Sequence, residues 1–173
     1  MLAEQLVAAA ATFAAALLTG TLIEYAVHRL MHCGKMLRRK HAEHHRDGRG
    51  QGWAGEFWDY YVGVLPLILS GSAVAWLVFA SPGAAGGWAA GGTFYAALAA
   101  YAHQLQHEKP ELVFWLPRPV HHLHHKHHMW RHNFGILVDW WDRVFGTYKA
   151  VEWKPELRPF QHSLRAFLRI KWF

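Results

Sequence analysis

The chain has 173 residues, of which 53% are hydrophobic, with 15 histidines, a net charge of +6 and a single cysteine. That length suits one domain, residues 1–173, and one thiol excludes an internal disulfide. The positive balance fits anionic lipid headgroups, and no recognition motif accompanies it, so no nucleic acid is expected as a partner.

Residues 5–23 carry no charged side chain. A membrane-crossing helix needs about 20 mostly apolar residues. The first predicted element is therefore a helix over 5–33, with a span at about 5–26. Met1-Leu2-Ala3-Glu4 lacks the basic start of a secretory signal, so this span is expected to be retained. Cys33, beside His32, reads as an ordinary small residue. A short basic helix is predicted over 35–46. Gly50-Gln51-Gly52-Trp53-Ala54-Gly55 matches the dinucleotide fingerprint in letters only, since no strand precedes it.

Residues 60–107 are again free of Asp, Glu, Lys and Arg, and Ser81-Pro82-Gly83 breaks the run. This predicts helices over 57–80 and 87–108, with spans at 60–80 and 87–107. Pro110, Pro117 and Pro119 punctuate the connection to a helix over 120–132. The stretch Ser163 to Phe173 mixes apolar and basic residues and is expected to lie on a bilayer surface. The fold class expected is all-α: an integral membrane protein with about three spans under a histidine-rich helical cap. All 18 Lys and Arg lie within 29–49 or from 109 onward. The positive-inside rule then puts the N-terminus outside and the C-terminus and cap in the cytoplasm. The Ala/Gly/Trp-rich composition suggests a bacterial inner membrane.

Fourteen of the 15 histidines fall in four clusters or just after them. The clusters are His28–His32, His41–His44–His45, His103–His107 and the run from His121 to His128, followed by His132. Only His162 stands apart. Spacings of three and four residues put imidazoles on one helix face, and imidazole is the commonest side-chain metal ligand. The expected ligands are His28, His32, His41, His44, His45, His103 and His107, plus three from the last run. That run can supply His121, His124 and His125, or His124, His127 and His128. At about 100° per residue, His121, His124, His125, His128 and His132 share a face. The first set is favoured, with His128 as substitute. His122, His127, His132 and His162 read as solvated or supporting histidines.

Ten nitrogens serve two metals with about five each and leave positions open, unlike the closed four-ligand sites of structural zinc. Imidazole alone does not select the metal, but open, high-coordination sites suit a redox ion that binds a small molecule. Soluble di-iron bundles use mainly carboxylates, whereas few lie near these clusters. Glu24, Glu43 and Glu108 are expected to orient imidazole N–H groups.

The ordered set HxxxH (28–32), HxxHH (41–45), HxxxH (103–107), HxxHH (121–125), Asn133-Phe134-Gly135 and Trp141-Asp142-Arg143-Val144-Phe145-Gly146-Thr147-Tyr148 resembles the fatty acid hydroxylase and sterol desaturase superfamily of membrane di-iron enzymes. The resemblance covers about residues 20–150. It implies membrane helices under a cytoplasmic cap, two iron ions held by the histidine boxes, and lipid oxidation with O2. Zinc can stand in for iron in preparations. It also implies an external electron-transfer protein and a membrane lipid substrate. Glu24, Glu108, Asn133 and Asp142 are expected in supporting positions around the ligands. The doubled run HHLHHKHH departs from the family pattern and leaves the last box ambiguous.

The expected activity is lipid C–H oxidation, by hydroxylation or desaturation. Carotenoid ring hydroxylation is the alternative enzyme, although such enzymes generally lack an ending like Trp141–Tyr148. A non-catalytic membrane metal-binding protein is the other alternative. A transporter is disfavoured, because the spans hold no polar ligand at mid-depth. Trp140, Trp141 and the small residues of the third span are expected to line a substrate path.

Overall fold

The computed structural model describes residues 1–154 and 164–173, and all regular structure among them is helical. The helices are α1 (Leu2–His32), α2 (Arg38–Asp47), α3 (Trp53–Phe79), α4 (Pro82–Glu108), α5 (Val120–Lys126), α6 (Trp140–Val144) and α7 (Leu164–Phe167), with a 3-10 turn at Pro110–Leu112. α1 and α3 are long and apolar enough to cross a membrane. Their outer faces expose Leu6, Val7 and Leu18 on α1, and Leu69, Val74 and Leu77 on α3. α4 packs along both and is the most buried of the three. It begins five residues earlier than the sequence suggests, because Ser81 caps it by accepting from Ala84 N at 3.1 Å and Pro82 supplies the first-turn proline.

Small residues decide how closely α4 meets α1. Thr12 Oγ1 donates to Ala84 O at 2.8 Å. A Cβ on Gly87 would collide with Ala9 O and Thr12 Oγ1, and one on Gly91 would sit 2.6 Å from Phe13 O. Ala9 O and Phe13 O are backbone, so the helices themselves must move. Gly87→Ala is expected to lower the thermal midpoint in detergent, at about 1–3 kcal/mol for overpacking. Gly86→Ala, which meets nothing within 4 Å, should leave it unchanged.

The loop 48–52 is glycine-rich for a packing reason. Gly52 has φ +98° and donates its N–H to Gln104 Oε1 at 2.9 Å, and a Cβ on Gly50 would strike the same amide. Trp53 N and Ala54 N, unpaired first-turn donors of α3, are taken at 2.8 Å each by Lys171 O and Trp172 O. This tail was expected on a bilayer surface. From Leu164 on, one face docks on the protein, where Ala166 and Ile170 are buried with Leu105, Leu112, Val113 and Leu116, while Leu168 and Phe173 stay exposed. His162 and Ser163 lie outside the described residues.

Candidate metal centre

The four histidine clusters sit at the C-terminal ends of α1 and α4, on α2 and on α5. The fold draws them together into two groups. The first holds His28, His32, His41, His45 and His124, and the second His44, His107, His121 and His125, each with ligand atoms within 4.8 Å of one another. His103 joins the second, its Nε2 being 3.2 Å from His44 Nε2.

The partition follows helix geometry. Residues four apart share a face, so the pairs 28/32 and 41/45 serve the first group, and 103/107 and 121/125 the second. The middle histidine of each HxxHH box lies about 100° from its neighbour and crosses over. His44 goes to the second group and His124 to the first. The two groups touch where His45 stacks on His125, with centroids 4.0 Å apart.

Nε2 atoms converge in the first group. His32 lies 2.8 Å from His41, 3.1 Å from His45 and 2.9 Å from His124, and His45 lies 3.2 Å from both His41 and His124. In the second, His107 and His121 are 3.2 Å apart. Nitrogens at about 2.1 Å from one metal stand about 3.0 Å apart when they subtend about 90°, and about 3.4 Å in a tetrahedron. The spacing therefore fits an ion with more than four ligands.

Tautomers support the same reading. His124 Nδ1 is 2.7 Å from His132 O and His28 Nδ1 is 2.6 Å from Phe134 O. A carbonyl only accepts, so each Nδ1 carries the proton and each neutral ring turns a bare Nε2 lone pair inward. His28 Nε2 and both nitrogens of His125 are buried without a hydrogen-bond partner. Buried polar atoms are normally satisfied, and a bound cation would supply what these lone pairs lack.

Burial, then neighbouring imidazoles, holds His41 and His45 down to about 3 and His44 to about 4; burial alone holds His124 to about 4. The ordinary value is 6.5. These rings are neutral and ready to ligate at pH 7. The shifts also set acid stability. An unfolded chain takes up protons near 6.5, before the folded one does, so the folded state is favoured in full above about 6.5 and loses that advantage as pH falls toward 3–4. The thermal midpoint of metal-free protein should fall steadily from pH 7 to pH 4.5. A flat profile over that range would show the imidazoles are not buried as described.

Two sequence motifs, Asn133-Phe134-Gly135 and Trp141–Tyr148, together with Glu24 and Gln106, explain how the rings are held. The backbone N–H groups of Phe134 and Gly135 donate to Asp142 at 2.9 and 2.7 Å, and Ile136 and Leu137 donate to Glu24 at 2.8 and 3.2 Å. Asn133, at φ +61°, exchanges two hydrogen bonds with Lys149. A Cβ at Gly135 would strike Val138 O. Thr147 closes the clamp by donating to Asp142 Oδ1 at 2.7 Å. The clamped segment 132–137 then presents the two carbonyls that orient His124 and His28. On the other side, Gln106 Oε1 accepts from His121 N at 2.9 Å, fixing the start of α5.

Glu24, Glu43 and Glu108 were expected to orient imidazole N–H groups, and the structure hydrogen-bonds none of them to an imidazole; Asn133 and Asp142, expected in supporting roles, do support the centre through backbone. Glu24, Asn133 and Asp142 hold backbone, and Glu108 accepts from Gln104 and Lys171 N. Glu43 pairs with Arg39 at the surface. Among the described residues, the carboxylate that does approach a ring is Glu56, whose Oε1 lies 3.1 Å from His103 Nδ1. It lies outside every histidine box. Its one signal is position: with Asp59 it is the last acid before the charge-free run.

The helix expected over 120–132 ends at Lys126. His128 turns to φ +49°, and His127 and His128 lie exposed outside both groups. His132 contributes its carbonyl, and His122 stacks on Trp153. Trp141 Nε1 donates to Thr21 Oγ1 at 2.8 Å, while Trp140 is exposed.

No curated protein and no solved structure matches the chain. The family model described as fatty acid hydroxylase matches residues 13–147, a stretch that contains all ten grouped histidines, the Asn133-Phe134-Gly135 segment, Asp142 and Thr147. The chain belongs to the fatty acid hydroxylase family, within the fatty acid hydroxylase/sterol desaturase superfamily.

Proposed function

We propose that this protein is a membrane di-iron oxygenase that hydroxylates an amphiphilic lipid with O2. The carrying observation is the convergence of ten imidazoles into two groups at the ends of apolar helices. The groups take one iron each, His28, His32, His41, His45 and His124 on one side and His44, His103, His107, His121 and His125 on the other. Two iron ions, when bound, supply the reduction of O2 and the removal of hydrogen from an unactivated C–H bond.

The protein's own groups do the rest. Phe134 O and His132 O hold two Nδ1–H groups so that Nε2 faces the metal. Glu56 orients His103. The Phe134 ring packs on His28, His32 and His124 and keeps water from the first group. α1, α3 and α4 cross the membrane as three spans, with the histidine cap on the cytoplasmic side of a bacterial inner membrane. The substrate arrives from the bilayer and the electrons from a separate protein.

The test is metal content of detergent-purified protein together with lipid extracts from cells with and without it. About two irons per chain and a product heavier by about 16 Da, one oxygen atom, are expected. A product lighter by about 2 Da would make the enzyme a desaturase. No bound redox metal and no altered lipid would refute the proposal.

A further inference from the structure

Trp130 belongs to neither histidine group but touches the first. Its ring stacks on His45 with centroids 5.3 Å apart and meets His32 edge-on at 5.2 Å. It is 54% exposed. Among the described residues, it is the one exposed aromatic side chain, histidine aside, that contacts an imidazole of either group. On its outer side lies an open concavity of about 460 Å³, lined by residues 127–132, Lys149 and Val151. No carboxylate lines it. Arg131 and Lys149 are exposed there, and no ion pair engages either among the described residues.

The oxygenase reading sets a requirement. Hydroxylation converts R–H, O2, two electrons and two protons into R–OH and water. The chain has one cysteine and thus no dithiol of its own to supply electrons. A one-electron carrier must dock twice per turnover, which calls for brief, charge-steered encounters. A basic rim around an aromatic ring in contact with two metal-group imidazoles meets that need.

We propose that the concavity around Trp130 is the docking site of an acidic one-electron carrier protein, with Trp130 bridging the carrier to His32 and His45. The proposal rests on the di-iron reading. Each docked carrier is oxidised by one electron, which passes across Trp130 to the metal centre with no bond broken. Two carriers complete the pair, and the two protons come from water.

The probe is an acidic plant-type [2Fe–2S] ferredoxin, with iron-loaded protein in detergent. Calorimetry should show binding at low salt that weakens as salt rises. Arg131→Glu with Lys149→Glu should weaken it by about tenfold or more. Trp130→Leu should bind within about twofold of wild type but accept electrons from ferredoxin at least about tenfold more slowly, and Trp130→Phe should restore part of that rate. Reduction by dithionite should be unchanged in the charge-reversed protein. No binding by wild type, or unchanged binding after charge reversal, overturns the docking site. An unchanged ferredoxin rate in Trp130→Leu overturns the bridge. Loss of phosphatidylglycerol-vesicle binding on charge reversal, with ferredoxin binding intact, assigns the surface to lipid and also overturns the proposal. Failure of the di-iron reading shows separately, as wild type with no dithionite-reducible centre before ferredoxin is added.

Discussion

On the di-iron proposal, His45→Ala and His125→Ala are each expected to abolish lipid oxidation and to lower iron content, because each would remove a ligand from a different group. His45 Nε2 contacts the Nε2 atoms of His32, His41 and His124, so its loss opens one side of the first group. His125 lies within 4.8 Å of His44, His107 and His121 in the second. Losing an outer hydrogen-bond partner costs roughly 10–100-fold in metal affinity, and losing a ligand should exceed that. The matched controls are His127→Ala and His128→Ala. Both residues are exposed and outside the groups, so iron content should stay at the wild-type level. Elemental analysis of the four variants settles the register of the doubled histidine run. Iron loss in His128→Ala but not in His125→Ala would reverse the assignment.

Asp142→Ala is expected to be the most damaging substitution among residues that touch no imidazole. The carboxylate is fully buried and accepts from Phe134 N, Gly135 N and Thr147 Oγ1. Burial raises its pKa, against the opposing pull of those donors. Truncation leaves two backbone N–H groups and a hydroxyl without their acceptor, at about 1–3 kcal/mol for each buried donor stranded. It also frees the segment whose Phe134 carbonyl orients His28. Both the thermal midpoint and the iron content should fall, whereas Thr147→Ser, which keeps the donor, should spare both. A stable, iron-replete Asp142→Ala protein would show that the clamp does not organise the centre.

The ordering of the histidine boxes was legible because a side-chain period of four is a property of the helix, and a helix is readable from sequence. The spacings also gave the pairs 28/32, 41/45, 103/107 and 121/125, but which pairs share a group, and the crossing-over of His44 and His124, came only from the packing of the helices. The agents that orient the rings were not legible. Carboxylates were expected, but His28 and His124 donate to main-chain carbonyls, which every residue carries and no side-chain type announces. Glu24 and Asp142 act one step further out, on the N–H groups of the segment that bears those carbonyls. Glu56 meets His103 only because α3 and α4 pack side by side. The extent of α5 was missed because a left-handed residue at His128 ended a helix whose histidine pattern ran on.

The separation in sequence between each ring and its support bears on how the protein is made. His28 and Phe134 are 106 residues apart, and Glu24 and Ile136 are 112 apart. A ribosome synthesises α1 and α2 long before the segment that fixes their histidines. During that interval His28, His32, His41 and His45 hang on unanchored helices, and contacts closing such long loops form late in folding. The half-built cluster can already seize whatever divalent ion is abundant, and the most avid competitor need not be the useful one. On the di-iron proposal, correct metallation becomes a matter of timing: the final third of the chain must arrive before the wrong ion is trapped, and slower translation past residue 45 should raise the mismetallated fraction.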